Sequence, residues 1–67
     1  MNKEYIKRRT AEYEYYANGF HRLNAVEVLV RNVRIRKDRV IADIVIRRLE
    51  ENTEERFNNC EYPLSIF

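Results

Sequence analysis

Residues 25–49 set apolar against polar side chains with a period of two, the signature of strands that expose one face and bury the other. Ten of these residues are Val or Ile, whose β-branching costs entropy in a helix and packs well on a pleat. Val26, Val28 and Val30 alternate with Glu27, Leu29 and Arg31, and Val33 and Ile35 continue in the opposite parity. A period of two changes parity only through an extra residue, so a bulge or break is expected near Asn32. Lys37-Asp38, between Ile35 and Val40, reads as a short hairpin turn. The return strand puts Val40, Ala42, Ile44 and Ile46 on one face and Ile41, Asp43, Val45 and Arg47 on the other. That second face is half apolar. Both faces are therefore expected to be partly covered, by a helix, by sheet closure or by a partner.

The pattern before this hairpin is helical. Ile6, Tyr13, Ala17 and Phe20 recur at spacings of seven, four and three, close to one face of a helix over residues 2–18. Asn2 can cap its start, and Glu4 lies in the first turn, where the helix dipole favours a negative charge. Asn18-Gly19 offers a left-handed stop, followed by an apolar Phe20 that can fold back on the last turn. A rival reading makes residues 10–16 a strand, with Asn-Gly as its hairpin turn. The stop signal and Lys3–Arg9 favour the helix. After the hairpin come a polar turn at Glu50–Thr53 and a weaker strand around Glu55–Asn59. Pro63 confines the closing segment, Tyr62–Phe67, to an edge or an extended tail, so residues 54–67 read as edge strand plus tail.

These elements predict an α+β fold in one small domain, residues 1–67. An N-terminal helix packs on an antiparallel sheet of three or four strands. The alternative is a small, partly closed β-barrel with a helical lead, which would explain the apolar Ile41 and Val45 opposite Val40 and Ile44. A chain of 67 residues buries only about 60% of the surface it exposes when unfolded, so its stability margin is thin. One Cys precludes an intrachain disulfide, and one His with one Cys makes a His/Cys zinc site unattainable within one chain. No apolar run approaches the roughly 20 residues of a membrane span, so no membrane partner is expected. The segment MNKEYIKRRT has the charges of a signal peptide but no apolar h-region. The lone Cys fits a reducing, cytoplasmic setting.

Candidate chemistry is sparse. Ser65, Cys60 and His21 include nucleophiles and a base, yet nothing in their spacing brings them together, and Cys60 lacks a basic neighbour to lower its pKa. The Glu residues at 50–55 read as a solvated turn, and no phosphate-cradling Gly loop exists in a chain with one Gly. No enzyme activity, cofactor or metal is expected.

Charge separates along the chain. Residues 1–49 hold twelve Lys/Arg against six Asp/Glu, and residues 50–67 hold Arg56 against five Glu. Arg31, Arg34, Arg36, Lys37 and Arg39 crowd one strand and its turn, where a β-ribbon could present them to carboxylates or phosphates. Tyr5, Tyr13, Tyr15 and Tyr16 share one short segment, and Tyr with Arg is the pairing enriched at protein interfaces. Tyr13 is assigned to the core. Arg34, Arg36, Lys37, Arg39 and Tyr15 are the candidate partner-binding residues. The functional expectation is a non-catalytic interaction module that binds and masks or regulates a partner protein with an acidic surface, as small regulators and inhibitors from phage and other mobile elements do. Self-association is compatible with it. The second reading is a nucleic-acid-binding module using the Arg-rich hairpin, although the strands between residues 25 and 49 hold no aromatic to stack on bases.

Overall fold

The helix forms where the cap and stop residues demand it. In the computed structural model, which describes residues 2–67, α1 spans Lys3–Ala17. The Asn2 Oδ1 accepts from the Glu4 amide at 2.8 Å and the Tyr5 amide at 3.4 Å, satisfying donors that a helix start leaves orphaned. Gly19 ends the run with φ of 71°, and its amide donates to the Tyr16 carbonyl at 3.1 Å. A 3-10 turn at Phe20–Arg22 then drops the Phe20 ring into the core. Residues 10–16 are thus helical, and the hairpin alternative for them is excluded.

Three strands follow: β1 Val26–Arg36, β2 Arg39–Arg48 and β3 Thr53–Pro63. They form one antiparallel sheet in the order β1-β2-β3. The sheet stays open, with α1 packed on one face, mainly over β1. The α+β expectation holds with three strands, and the closed-barrel alternative does not. Closure is not needed to shelter Val45, as described below. The third strand is also longer than Glu55–Asn59, because its polar side chains hide a strand that pairs with β2 along its whole length. Beyond Pro63 the chain turns into a 3-10 segment at Leu64–Ile66 instead of running on extended. The Leu64 amide donates to the Asp38 carbonyl at 2.9 Å, tying this end of the chain to the hairpin turn.

The parity switch in β1 is a bulge. Arg31 pairs with Asp43 and Arg34 with Ile41, leaving Asn32 and Val33 opposite Ala42. Asn32 takes φ of 54°, a left-handed conformation that Asn tolerates better than other side-chain-bearing residues. A second bulge, unforeseen from the sequence, lies in β3, where Asn58 and Asn59 stand opposite Asp43 and Asn59 takes φ of 59°.

Residues directly opposite in an antiparallel pair share a face. The helix-side rows therefore run Val28–Ile46–Glu55, Val30–Ile44–Phe57 and Ile35–Val40–Tyr62. Two apolar clusters fill the space beneath α1. One gathers Ile6, Val33, Val40 and Ala42, with Leu64 and Phe67 packed against them. The other gathers Phe20, Ile44, Ile46 and Tyr62, with Tyr15 and Val28 alongside. Val28 and Val30 are only half-buried at the β1 edge, whereas Ile44 and Ile46 are buried on the central strand.

Tyr13 departs from its core assignment: it is 51% exposed. The buried stripe moves round α1 along its length, from Ile6 and Thr10 to Ala11, Glu14 and Tyr15. A helix crossing a twisted sheet presents its later turns to the sheet by a rotated face, and this rotation carries Tyr13 outward.

Candidate functional site

The basic hairpin disperses its charges on internal partners. Arg34 Nη2 lies 3.5 Å from Asp43 Oδ1 and donates to Asn59 Oδ1 at 3.0 Å. Arg39 Nη1 donates to Glu61 Oε1 at 2.7 Å. Arg36 turns its guanidinium back on the Ile35 carbonyl at 3.1 Å. Among the described residues, Arg36 and Lys37 have no carboxylate in ion-pair reach. Of the four cations assigned to partner binding, two are already neutralised across the sheet. The sequence shows the crowding of like charge but not the acidic residues of β2 and β3 that answer it.

Asp43 organises this region. It accepts from the Asn32 amide nitrogen at 2.7 Å and from the Asn59 backbone N–H at 2.9 Å, so one carboxylate ties both bulges together. These hydrogen bonds, with Arg34 beside them, hold its carboxyl below the usual aspartate range.

The helix leaves part of the inner face uncovered along β3. An open groove of about 280 Å³ runs there between α1 and the sheet. Its floor is Ile44 and Ile46. Phe57, Cys60 and Tyr62 form the β3 wall, and Glu14 and Asn18 the helix wall. Phe57 is 45% exposed although it sits on the inner face. The Tyr13 ring meets the wall residue Tyr62 edge-on at 6.1 Å. Tyr16, 61% exposed, packs against His21 and Tyr15. Tyr15 itself is half-buried against the core and supports Tyr16 more than it presents itself.

Glu14 supplies the groove's charge. It is half-buried, and Asn18 Nδ2 donates to its Oε2 at 3.1 Å, yet among the described residues no cation reaches it. Its negative field is felt next door. Burial first, and then Glu14, push the Cys60 thiol and the Tyr62 phenol above their ordinary ranges. A thiol held protonated in this way is a poor nucleophile, and Cys60 spends its proton on the Phe57 carbonyl at 3.7 Å. His21 is engaged with the Tyr15 and Tyr16 rings. Sequence reasoning missed Phe57 and Glu14. The signal for Phe57 was a single aromatic within the polar run from Thr53 to Asn59. Glu14 carried no signal, because its isolation is a property of the packed structure.

No family model matches the chain, and neither a curated protein nor a solved structure matches it. Among the described residues, no helix is long and apolar enough to cross a membrane.

Proposed function

We propose that the protein is a non-catalytic interaction module that binds and masks or regulates a partner protein, and that it docks through the groove between α1 and β3. The observation that carries this reading is the exposure of Phe57 on the wall of a groove whose floor is the buried Ile44 and Ile46, with the exposed Tyr13 edge-on against the wall residue Tyr62. A domain this short gains by burying its aromatics, and leaving two outside beside an apolar trough costs it core area. Aromatic side chains around a pocket that excludes water are what binding hot spots are made of. The unpaired Glu14 on the wall sets the chemistry of the occupant: an apolar or aromatic side chain followed closely by Lys or Arg. This moves the binding surface away from the hairpin, since Arg34 and Arg39 are held by Asp43 and Glu61. It also replaces an acidic partner surface with a basic segment. The nucleic-acid reading retains Arg31, Arg36 and Lys37 as hairpin cations without a carboxylate among the described residues, too few to neutralise a run of phosphates.

The test is photo-crosslinking in the protein's own host, with a photoreactive residue replacing Phe57 in one variant and Lys37 in another. A protein partner captured from position 57 and not from position 37 is the expected result. Capture from position 37 alone, or recovery of nucleic acid there with steep salt dependence, contradicts the proposal.

A further inference from the structure

The two edges of the sheet are unequally defended against pairing. The β3 edge carries Pro63, the bulge at Asn58-Asn59 and the charges Glu54, Glu55 and Arg56, all of which obstruct an incoming strand. The β1 edge from Val26 to Arg31 has no Pro, no Lys and no bulge, and its first irregularity comes at Asn32. A shallow apolar trough follows this edge between Ala11 and Tyr15 of α1 and Val26, Val28 and Leu29 of β1. From these features we infer that the protein self-associates by antiparallel pairing of β1 with β1 of a second copy, forming one continuous six-stranded sheet.

Charge fixes the register. A two-fold axis through Leu29 sets Leu29 against Leu29, Val28 against Val30 and Glu27 against Arg31. The symmetry makes the last two pairs twice. Centring on Val28 sets Glu27 against Leu29, and centring on Val30 sets Arg31 against Leu29, so both forfeit the ion pairs. An axis between residues would join the inner face of one copy to the outer face of the other. Opposite charges placed directly across an antiparallel pair attract, and like charges there repel. Arg31 is available for this role. Its own cross-strand neighbour, Asp43, is occupied by Asn32, Asn59 and Arg34, and among the described residues no carboxylate reaches Arg31. Glu27 has only Arg47, at 4.0 Å. Main-chain hydrogen bonds supply the attraction, as in other cases of strand addition to a free edge, and the side-chain pairs supply the selectivity. This surface lies on the opposite edge of the sheet from the α1–β3 groove, and the inference stands whether or not that groove binds a partner.

Sedimentation equilibrium of the full chain, and of charge variants, tests the inference. The wild type is expected to be a dimer. Glu27→Arg alone and Arg31→Glu alone each raise the dimer dissociation constant at least tenfold, and the double exchange Glu27→Arg/Arg31→Glu restores it to near the wild-type value. Both residues are exposed, and thermal melts of each variant verify folding. Leu29→Cys in a Cys60→Ala background gives an independent reading: mild oxidation is expected to yield a covalent dimer through position 29. A wild type that stays monomeric at high concentration overturns the inference, as does a dimer indifferent to the single charge changes or not rescued by the double one.

Discussion

The face of the sheet under α1 and the face turned away from it are made from the same three strands by different means. The inner face is covered by the helix and the 3-10 turns, and its central side chains are aliphatic: Val40, Ala42, Ile44 and Ile46. The outer face has no covering element. It is held by ion pairs across the strands, with Arg47 on Glu54 at 2.8 Å and Arg34 near Asp43, and by Arg56 on Glu54 at 2.9 Å along β3. Even so, Val45 on the outer face is only 4% exposed. Its cross-strand neighbours are Leu29 and Arg56, and long side chains of this kind can lay their aliphatic stems over a small residue while their charged ends stay in water. An apolar residue on a strand's second face thus need not imply a second layer or a closed barrel. Equally, a crowd of arginines need not imply a ligand, because cross-strand carboxylates answer part of the charge, Asp43 for Arg34 and Glu61 for Arg39.

The largest expected effect lies on the inner face. Ile44→Ala should destabilise by about 2–4 kcal/mol, since Ile44 is buried on the central strand among Phe20, Ile46 and Tyr62. Val45→Ala should cost about 1.5 kcal/mol, roughly the transfer free energy of two methyl groups, because the outer face has no lid beneath which a cavity could form. Urea midpoints of the two variants decide this. Equal losses would mean that the outer face is packed as tightly as the core.

An intermediate effect concerns acid. The Asp43 carboxyl in the folded chain titrates below its ordinary value of 3.8, chiefly through the hydrogen bonds from Asn32 and Asn59. Glu54 is likewise held below its ordinary 4.5, by Arg47 and then Arg56. A depressed folded pKa contributes stability above the unfolded pKa, and that contribution is lost as pH falls through the folded one. Melting temperature should therefore decline as pH drops from about 4.5, and Asp43→Asn with Glu54→Gln should flatten that decline. A double variant that keeps the wild-type acid slope would show that the outer-face network is not what acid dissolves.

Much of this architecture was legible because single residues declare it. Asn2 and Asn18-Gly19 bracket the helix, the change of parity at Asn32 announces the first bulge, and Lys37-Asp38 marks the turn. The second bulge also left a trace, since Phe57 falls out of parity with Cys60 and Tyr62, but a strand so polar offers too few apolar positions to make the shift visible. Tyr13 was misplaced because helical periodicity assumes one buried face for the whole helix, whereas the stripe on α1 rotates as it crosses the sheet. The groove could not be read at all. It exists only where α1 stops short of β3, which depends on how the helix lies and on no local pattern.

The smallest effects separate the arginines from one another. Arg34→Gln gives up its contacts with Asp43 and Asn59 and should lower stability by up to about 1 kcal/mol, the upper range for an exposed pair. Arg36→Gln and Lys37→Gln should leave the thermal midpoint unchanged. If Arg34→Gln proves equally silent, its contacts with Asp43 and Asn59 contribute nothing measurable and the case for a structural arginine fails.

The contrast between a structural outer face and a binding inner groove is tested most directly by selection from a random displayed-peptide library on the immobilised protein. The account predicts enrichment of peptides with an apolar or aromatic residue close to Lys or Arg. Their binding should be weakened by Phe57→Ala and by Glu14→Gln, and left unchanged by Arg36→Gln/Lys37→Gln. Enrichment of acidic peptides that lose binding on Arg36→Gln/Lys37→Gln and keep it on Phe57→Ala would contradict it.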